Sequence, residues 1–291
     1  MKGSPASSRT TEGMETGIWG RFVRPAALTA ACALVLLSLA PPSAGSDRAE
    51  QLPNLVAMAP FDLEIGEADT DAPGRPAGPA LRFATGANNR SDYALELSGQ
   101  PSGTTEAVAQ QCVAWAAPRV CTERKEVGTF AWHPEHGHFH FQDFALYELR
   151  RLRPNGEVDM RRRGLVATSG KVSFCIIDVE RDENRGPLYT APYPLYYSCL
   201  AGLSMQGISP GWRDVYANST VGQQIPLEGI EDGIYALVVV IDPLNRLLES
   251  DDTDNRAVVH IRLSGEVEIL CDQVPGETAC EPDPPADEPG L

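Results

Sequence analysis

The sequence predicts an all-β protein, a β-sandwich-like core carrying long disulfide-braced loops. Long helical periodicity is scarce. Short alternating or apolar runs recur between clusters of Gly, Pro, Asn and Asp, the pattern of several short strands joined by turns. Leu81-Arg-Phe-Ala84 reads as a strand, Gly86 to Ser91 as a turn, and Tyr93-Ala-Leu-Glu-Leu97 as a second strand. His136 to Phe141 and Phe144 to Leu149 read as one long strand, bulged at Asp143, and Lys171 to Asp178 as another. Gly233 to Asp242 and Arg256 to Leu263 are rich in β-branched residues and flank a turn-rich acidic loop. The irregular stretch 179–207 is long enough that function or disulfides must account for it.

The front of the chain is read as a segment apart from the fold. Arg21 and Arg24 precede an apolar run, Ala26 to Ala40, followed by the small residues of Pro41-Pro-Ser-Ala-Gly45. This is the layout of a secretory signal peptide over residues 1–45, and the run is short for a membrane span. The expected organisation is one domain over 46–275 and a disordered, acidic, Pro-rich tail over 276–291. Cleavage leaves Cys112, Cys121, Cys175, Cys199, Cys271 and Cys280. An even set in a secreted chain points to disulfides, and proximity favours Cys112–Cys121, Cys175–Cys199 and Cys271–Cys280. With no Cys-x-x-Cys in the sequence, a thiolate zinc site or a thioredoxin-like pair is not expected. The net charge of −16 argues against nucleic acid and anionic membrane as partners, and it favours cationic ones such as amines or basic proteins.

The chemistry concentrates in Trp132-His-Pro-Glu-His-Gly-His-Phe-His-Phe141. The protein has 5 histidines, and His133, His136, His138 and His140 fall in this stretch. On an extended strand, His136, His138 and His140 leave the same face, while Phe139 and Phe141 point the other way into the core. Imidazole ligates zinc, copper, iron and nickel, and three of them beside an open position make a reactive site. Lysine is scarce, only Lys2, Lys125 and Lys171, and Lys171 opens the strand that contains Cys175.

Four blocks in order give the chain a resemblance to the lysyl oxidase family of copper amine oxidases, over roughly residues 53–265. They are the Trp-His-x-x-His-x-His-x-His run, Lys-x-Ser-Phe-Cys at 171–175, Gln-Gly-Ile-Ser-Pro-Gly-x-x-Asp-x-Tyr at 206–216, and the stretch from Gly233 through Glu249-Ser-Asp-Asp-Thr-Asp-Asn255. The likeness is to the short secreted type, without a scavenger or pro-region. It implies copper(II) on His136, His138 and His140, and a lysine tyrosylquinone cofactor built from Lys171 and Tyr216. It also implies oxidation of a primary amine, in a protein lysine or a small molecule, by molecular oxygen to an aldehyde, with release of ammonia and hydrogen peroxide. His133 precedes the ligands and belongs behind them or near the substrate.

The residue types suit that scheme. Copper(II) favours nitrogen-rich sites with open positions, and a desolvated lysine is a better nucleophile. Asp214, two residues from Tyr216, is the candidate base, ahead of Asp178. Glu249, Asp251, Asp254 and Asn255 crowd oxygen ligands as calcium prefers. The family's calcium site adds an Asp-Leu pair near the domain start, which here is Asn54-Leu55. A non-catalytic secreted metal-binding or adhesion sandwich is the alternative reading. The pairing of Lys171 with Tyr216 favours the enzyme, because a binding domain needs neither.

Overall fold

The computed structural model describes residues 51–69, 78–101, 105–116, 120–134, 136–184, 188–199 and 205–273. The signal segment, the acidic tail and Cys280, hence the expected Cys271–Cys280 bridge, lie outside them. The strands are β1 (Leu55–Ala57), β2 (Phe61–Glu67), β3 (Pro79–Asn89), β4 (Leu95–Pro101), β5 (Glu106–Ala116) and β6 (Val120–His133). They continue with β7 (His138–Phe141), β8 (Ala145–Arg151), β9 (Leu165–Thr168), β10 (Glu180–Arg181) and β11 (Gln206–Ile208). The last are β12 (Trp212–Tyr216), β13 (Gln224–Pro226), β14 (Gly233–Ile241), β15 (Arg256–Leu263) and β16 (Val267–Gln273). No helix among the described residues is long and apolar enough to cross a membrane.

The fold is all-β, in three antiparallel sheets. In the first, β3 is central and pairs with β1, β2, β12 and β13, and β10 extends it beyond β12. The second runs β11-β4-β5-β6-β7 and the third β16-β15-β14-β8-β9. The apolar run of β14 sits between β15 and β8 and is covered on both faces, as its unbroken composition requires. Leu237, Val239 and Ile241 join the main core, while Ala236 and Val238 pack under Leu152 and Val158. Aromatic side chains pack against one another in the core. Phe83 of β3 meets Tyr147 of β8 edge-on at 5.2 Å, Tyr147 meets Phe174 at 6.0 Å, and Phe130 of β6 meets Phe141 of β7 at 5.6 Å. Each such ring, removed from water, contributes about 1.5–3 kcal/mol.

Three readings of the sequence change here. Gly86 to Asn89 is not a turn but the second half of β3, and the reversal falls at residues 90–94. Gly86 serves a close approach: a Cβ there would stand 1.9 Å from the Asp214 carbonyl oxygen on β12. The stretch 136–149 is two strands in different sheets, broken where Asp143 turns with φ of 59°. Residues 171–178 form no ladder strand. Their backbone bonds go to a succession of partners, among them a two-way exchange between Phe174 and Phe141 and a bond from the Gly207 N–H to the Ile176 carbonyl.

The loops that follow are braced as their length demands. Cys112–Cys121 and Cys175–Cys199 are both bonded, with Cα atoms 5.8 and 6.1 Å apart. A loop of the second size gains about 3 kcal/mol from closure. Buried Asp178 adds to the brace. It accepts hydrogen bonds from the Leu195, Tyr196 and Ser209 N–H groups and from the Ser209 hydroxyl. That use makes it a structural anchor of the loop.

Gly86 yields a direct test of how β12 is placed. Gly86→Ala must push β12 off β3, and should lower the melting temperature by roughly 3–10 °C, as overpacking does in a domain this size. Calorimetry checks it, and an unchanged melting temperature would show that β12 yields freely.

Candidate metal and cofactor site

The histidines arise from one hairpin. His133 ends β6 and pairs with His138 at the start of β7. Between them the chain reverses at Gly137, whose φ of +68° suits glycine. His136 therefore lies in the turn and not on the strand. Its ring still meets the others: His136 Nδ1 is 3.1 Å from His140 Nε2, and His138 Nε2 is 3.0 Å from the same atom. Two imidazole nitrogens held about 2.0–2.1 Å from one ion, roughly 90–100° apart, would be about 2.9–3.2 Å from each other, so the set fits a square or tetragonal ion such as copper(II). His133 stacks on His136 and His140 with ring centroids 4.3 and 4.6 Å away. One nitrogen each of His133, His136 and His140 lies within 4.8 Å of the others, which makes His133 a fourth donor at the cluster.

Burial favours the neutral form of His138 and His140. His140 is pushed down to about 3, chiefly by desolvation and then by the neighbouring His133, His138 and Lys171. His138 is lowered for the same first reason. The neutral imidazole is the form that binds metal.

Lys171, Tyr216 and Asp214 meet the histidines in one pocket of about 210 Å³, with Phe174 as a shared wall. Lys171 Nζ donates to the Val221 carbonyl at 3.2 Å and lies 5.1 Å from the Phe174 ring centroid. The Tyr216 ring is 4.5 Å from that same centroid. The lysine amine and the phenol thus border one ring, although they are 45 positions apart in sequence. The Tyr216 hydroxyl donates to the Cys175 carbonyl at 2.9 Å and is also bonded to the Asp214 carboxyl. Asp214 is fully buried, and desolvation raises its pKa well above the carboxylate range. Burial and Asp214 together raise the phenol of Tyr216. A larger cavity, about 500 Å³ between Tyr93, Trp115 and Tyr196, holds none of these groups.

A family model for lysyl oxidase matches residues 109–272, more than half of the chain. This chain belongs to the lysyl oxidase family. Among curated relatives, human lysyl oxidase homolog 3 is 33% identical over 138 residues, which is 47% of this chain and 16% of that protein. Rat protein-lysine 6-oxidase is 31% identical over 138 residues, 47% of this chain and 29% of the relative. The pig protein-lysine 6-oxidase is 30% identical and matched over 48% of its length. The chain thus spans less than half the length of these relatives.

The acidic loop of this lysyl oxidase family member packs on the start of the domain. Glu249 accepts from the Leu55 N–H at 2.5 Å and from the Asn255 amide at 2.8 Å. Asp254 accepts from the Asn54 amide at 3.0 Å. One buried oxygen each of Asn54, Asp254 and Asn255 has no hydrogen-bond partner among the described residues. Burial pushes Glu249 up to about 8 and raises Asp254. Oxygens that are buried, partly unpaired and costly to ionise are those a hard cation relieves. Asp251 stands apart, exposed and bonded to Thr253.

Sequence reasoning found the histidines, Lys171 and Tyr216 through their motifs. It left unmarked the wall that Phe174 supplies and the Val221 carbonyl that holds Lys171. Phe174 lay inside a quoted motif. A backbone carbonyl leaves no mark in a sequence.

Three outcomes follow for the metals. Replacing any two of His136, His138 and His140 with alanine should abolish stoichiometric copper, measured by atomic absorption after dialysis; full loading would refute the ligand set. Calcium at a hundredfold excess over its Kd should stabilise the protein by about 2.7 kcal/mol, and a chelator should reverse it. Asn54→Asp, which adds a carboxylate, should tighten calcium about tenfold by titration calorimetry.

Proposed function

We propose that this protein is a secreted copper amine oxidase that converts a primary amine, in a protein lysine or a small molecule, to the aldehyde. The overall change consumes oxygen and water and releases ammonia and hydrogen peroxide. The observation that carries the reading is the convergence of His136, His138, His140, Lys171 and Tyr216 on one pocket. Copper held by His136, His138 and His140 would supply, with oxygen, the oxidation of the Tyr216 ring, and a lysine tyrosylquinone built from Tyr216 and Lys171 would supply the electron sink for the amine.

The chain's own residues have definable parts. His138 and His140, held neutral by burial, offer lone pairs without first having to lose protons. The Val221 carbonyl and the Phe174 ring hold the Lys171 amine on the side of the pocket that Tyr216 borders. Asp214, which burial keeps protonated, sits against the phenol oxygen and can donate its proton there, while the phenol donates to the Cys175 carbonyl. The charge of −16 draws cationic amines toward the protein and disfavours nucleic acid. Calcium in the acidic loop would fix the domain start against β15.

The test is chemical. Tryptic digestion of copper-loaded, aerated protein should yield one peptide pair joining Lys171 to Tyr216. Lys171→Arg should eliminate that species and amine oxidation while keeping most copper binding. Full activity in Lys171→Arg would overturn the reading in favour of a non-catalytic metal-binding sandwich.

A further inference from the structure

Gln206 is buried, 2% exposed, and its side chain spans two elements of the site. Its Oε1 accepts from the Ile176 N–H at 3.0 Å, and its Nε2 donates to the Phe139 carbonyl at 2.7 Å. Those two neighbours fix the amide's orientation, because an N–H needs an oxygen and a carbonyl needs an N–H. Phe139 stands between His138 and His140. Ile176 N–H belongs to the same peptide unit as the Cys175 carbonyl, which accepts from the Tyr216 hydroxyl at 2.9 Å.

The bonds therefore form one line. The Tyr216 hydroxyl donates to the 175–176 peptide, that peptide donates to the Gln206 amide, and Gln206 donates to the 139–140 peptide. Every donor points the same way, so each amide polarises the next and the chain is stronger than its separate links. Between the phenol and the histidine strand the line has two backbone peptides, and the side chain that joins them is locked at both of its heteroatoms.

We infer that Gln206 is a positioning residue, one that sets the spacing between the histidine strand and the Tyr216 hydroxyl through this amide chain. The inference rests on the copper and quinone reading of the pocket, and it adds a residue that touches neither metal nor phenol. No shorter side chain reaches both carbonyl and N–H. Ionised glutamate keeps the acceptor for Ile176 but loses the donor to Phe139, and methionine loses both at any pH.

The experiment uses the full chain labelled with 3-fluorotyrosine, as wild type, Gln206→Met and Gln206→Glu, at a pH high enough to ionise the glutamate. The Tyr216 fluorine resonance is assigned by its loss in Tyr216→Phe. Circular dichroism and mapping of the Cys175–Cys199 bridge verify folding. In metal-free protein, Gln206→Met should shift the Tyr216 resonance and Gln206→Glu should leave it near the wild-type position. With copper(II) under argon, the relaxation that copper induces in that resonance should change at least twofold in both variants. A wild-type resonance in Gln206→Met, or unchanged copper relaxation in both variants, overturns the inference. If Gln206→Met does not fold, Gln206→Glu decides alone; failure of both to fold also overturns a positioning role. A wild type that shows copper relaxation but forms no phenylhydrazine adduct in air would sink the oxidase reading, and the relaxation data would still decide the part of Gln206. If the wild type takes no copper, the ligand assignment fails, and the metal-free shift decides whether Gln206 governs Tyr216.

Discussion

Residues 171–178 leave every sheet, and their buried backbone groups must still be paired. Phe174 exchanges bonds with Phe141, the Val172 carbonyl takes the Phe144 N–H, the Ile176 carbonyl takes the Gly207 N–H, and the Asp178 N–H goes to Tyr196. The partners belong to different elements, so the segment cannot slide as a ladder strand can. Leaving any one of these groups unpaired costs about 1–3 kcal/mol. That constraint locates Lys171 at one end and the Cys175 carbonyl, the acceptor of the Tyr216 hydroxyl, near the other. The Cys175–Cys199 bridge and the Asp178 anchor hold the adjoining loop to the same segment.

Desolvation then sets the chemistry. It lowers His138 and His140 and raises Asp214 and Tyr216, so each of these four groups favours its uncharged form. A protein with a charge of −16 thus presents, at this pocket, neutral donors. A metal cation arriving there would meet imidazole lone pairs. The oxygen cluster at Asn54, Glu249, Asp254 and Asn255 is a contrasting case. Its carboxylates are held by amides and by the Leu55 N–H, and burial penalises their charge.

The sequence made the cluster legible where chemistry is written in side chains. The histidine spacing, the scarce lysine and the tyrosine block all named residues that line the pocket. The apolar strands β14 and β15 were legible because both are long and β-branched. Gly86-Ala-Asn-Asn was misleading because its composition suits a turn, while its actual demand is room for the β12 backbone, which only the tertiary structure reveals. The 171–178 segment reads as a strand since its residues favour extended backbone, yet no neighbouring strand lies in register with it. His136 shows the same limit: alternation places it on a strand face, whereas Gly137 bends the chain and the ring arrives from the turn.

The central claim is that the pocket matures into a copper-dependent quinone. The most direct measurement is the visible spectrum of the copper-loaded, aerated protein before and after phenylhydrazine, with Tyr216→Phe alongside. The account predicts a quinone band that phenylhydrazine converts to an intense adduct, absent in Tyr216→Phe and in protein kept free of copper. A copper-loaded wild type with no band and no adduct would contradict it.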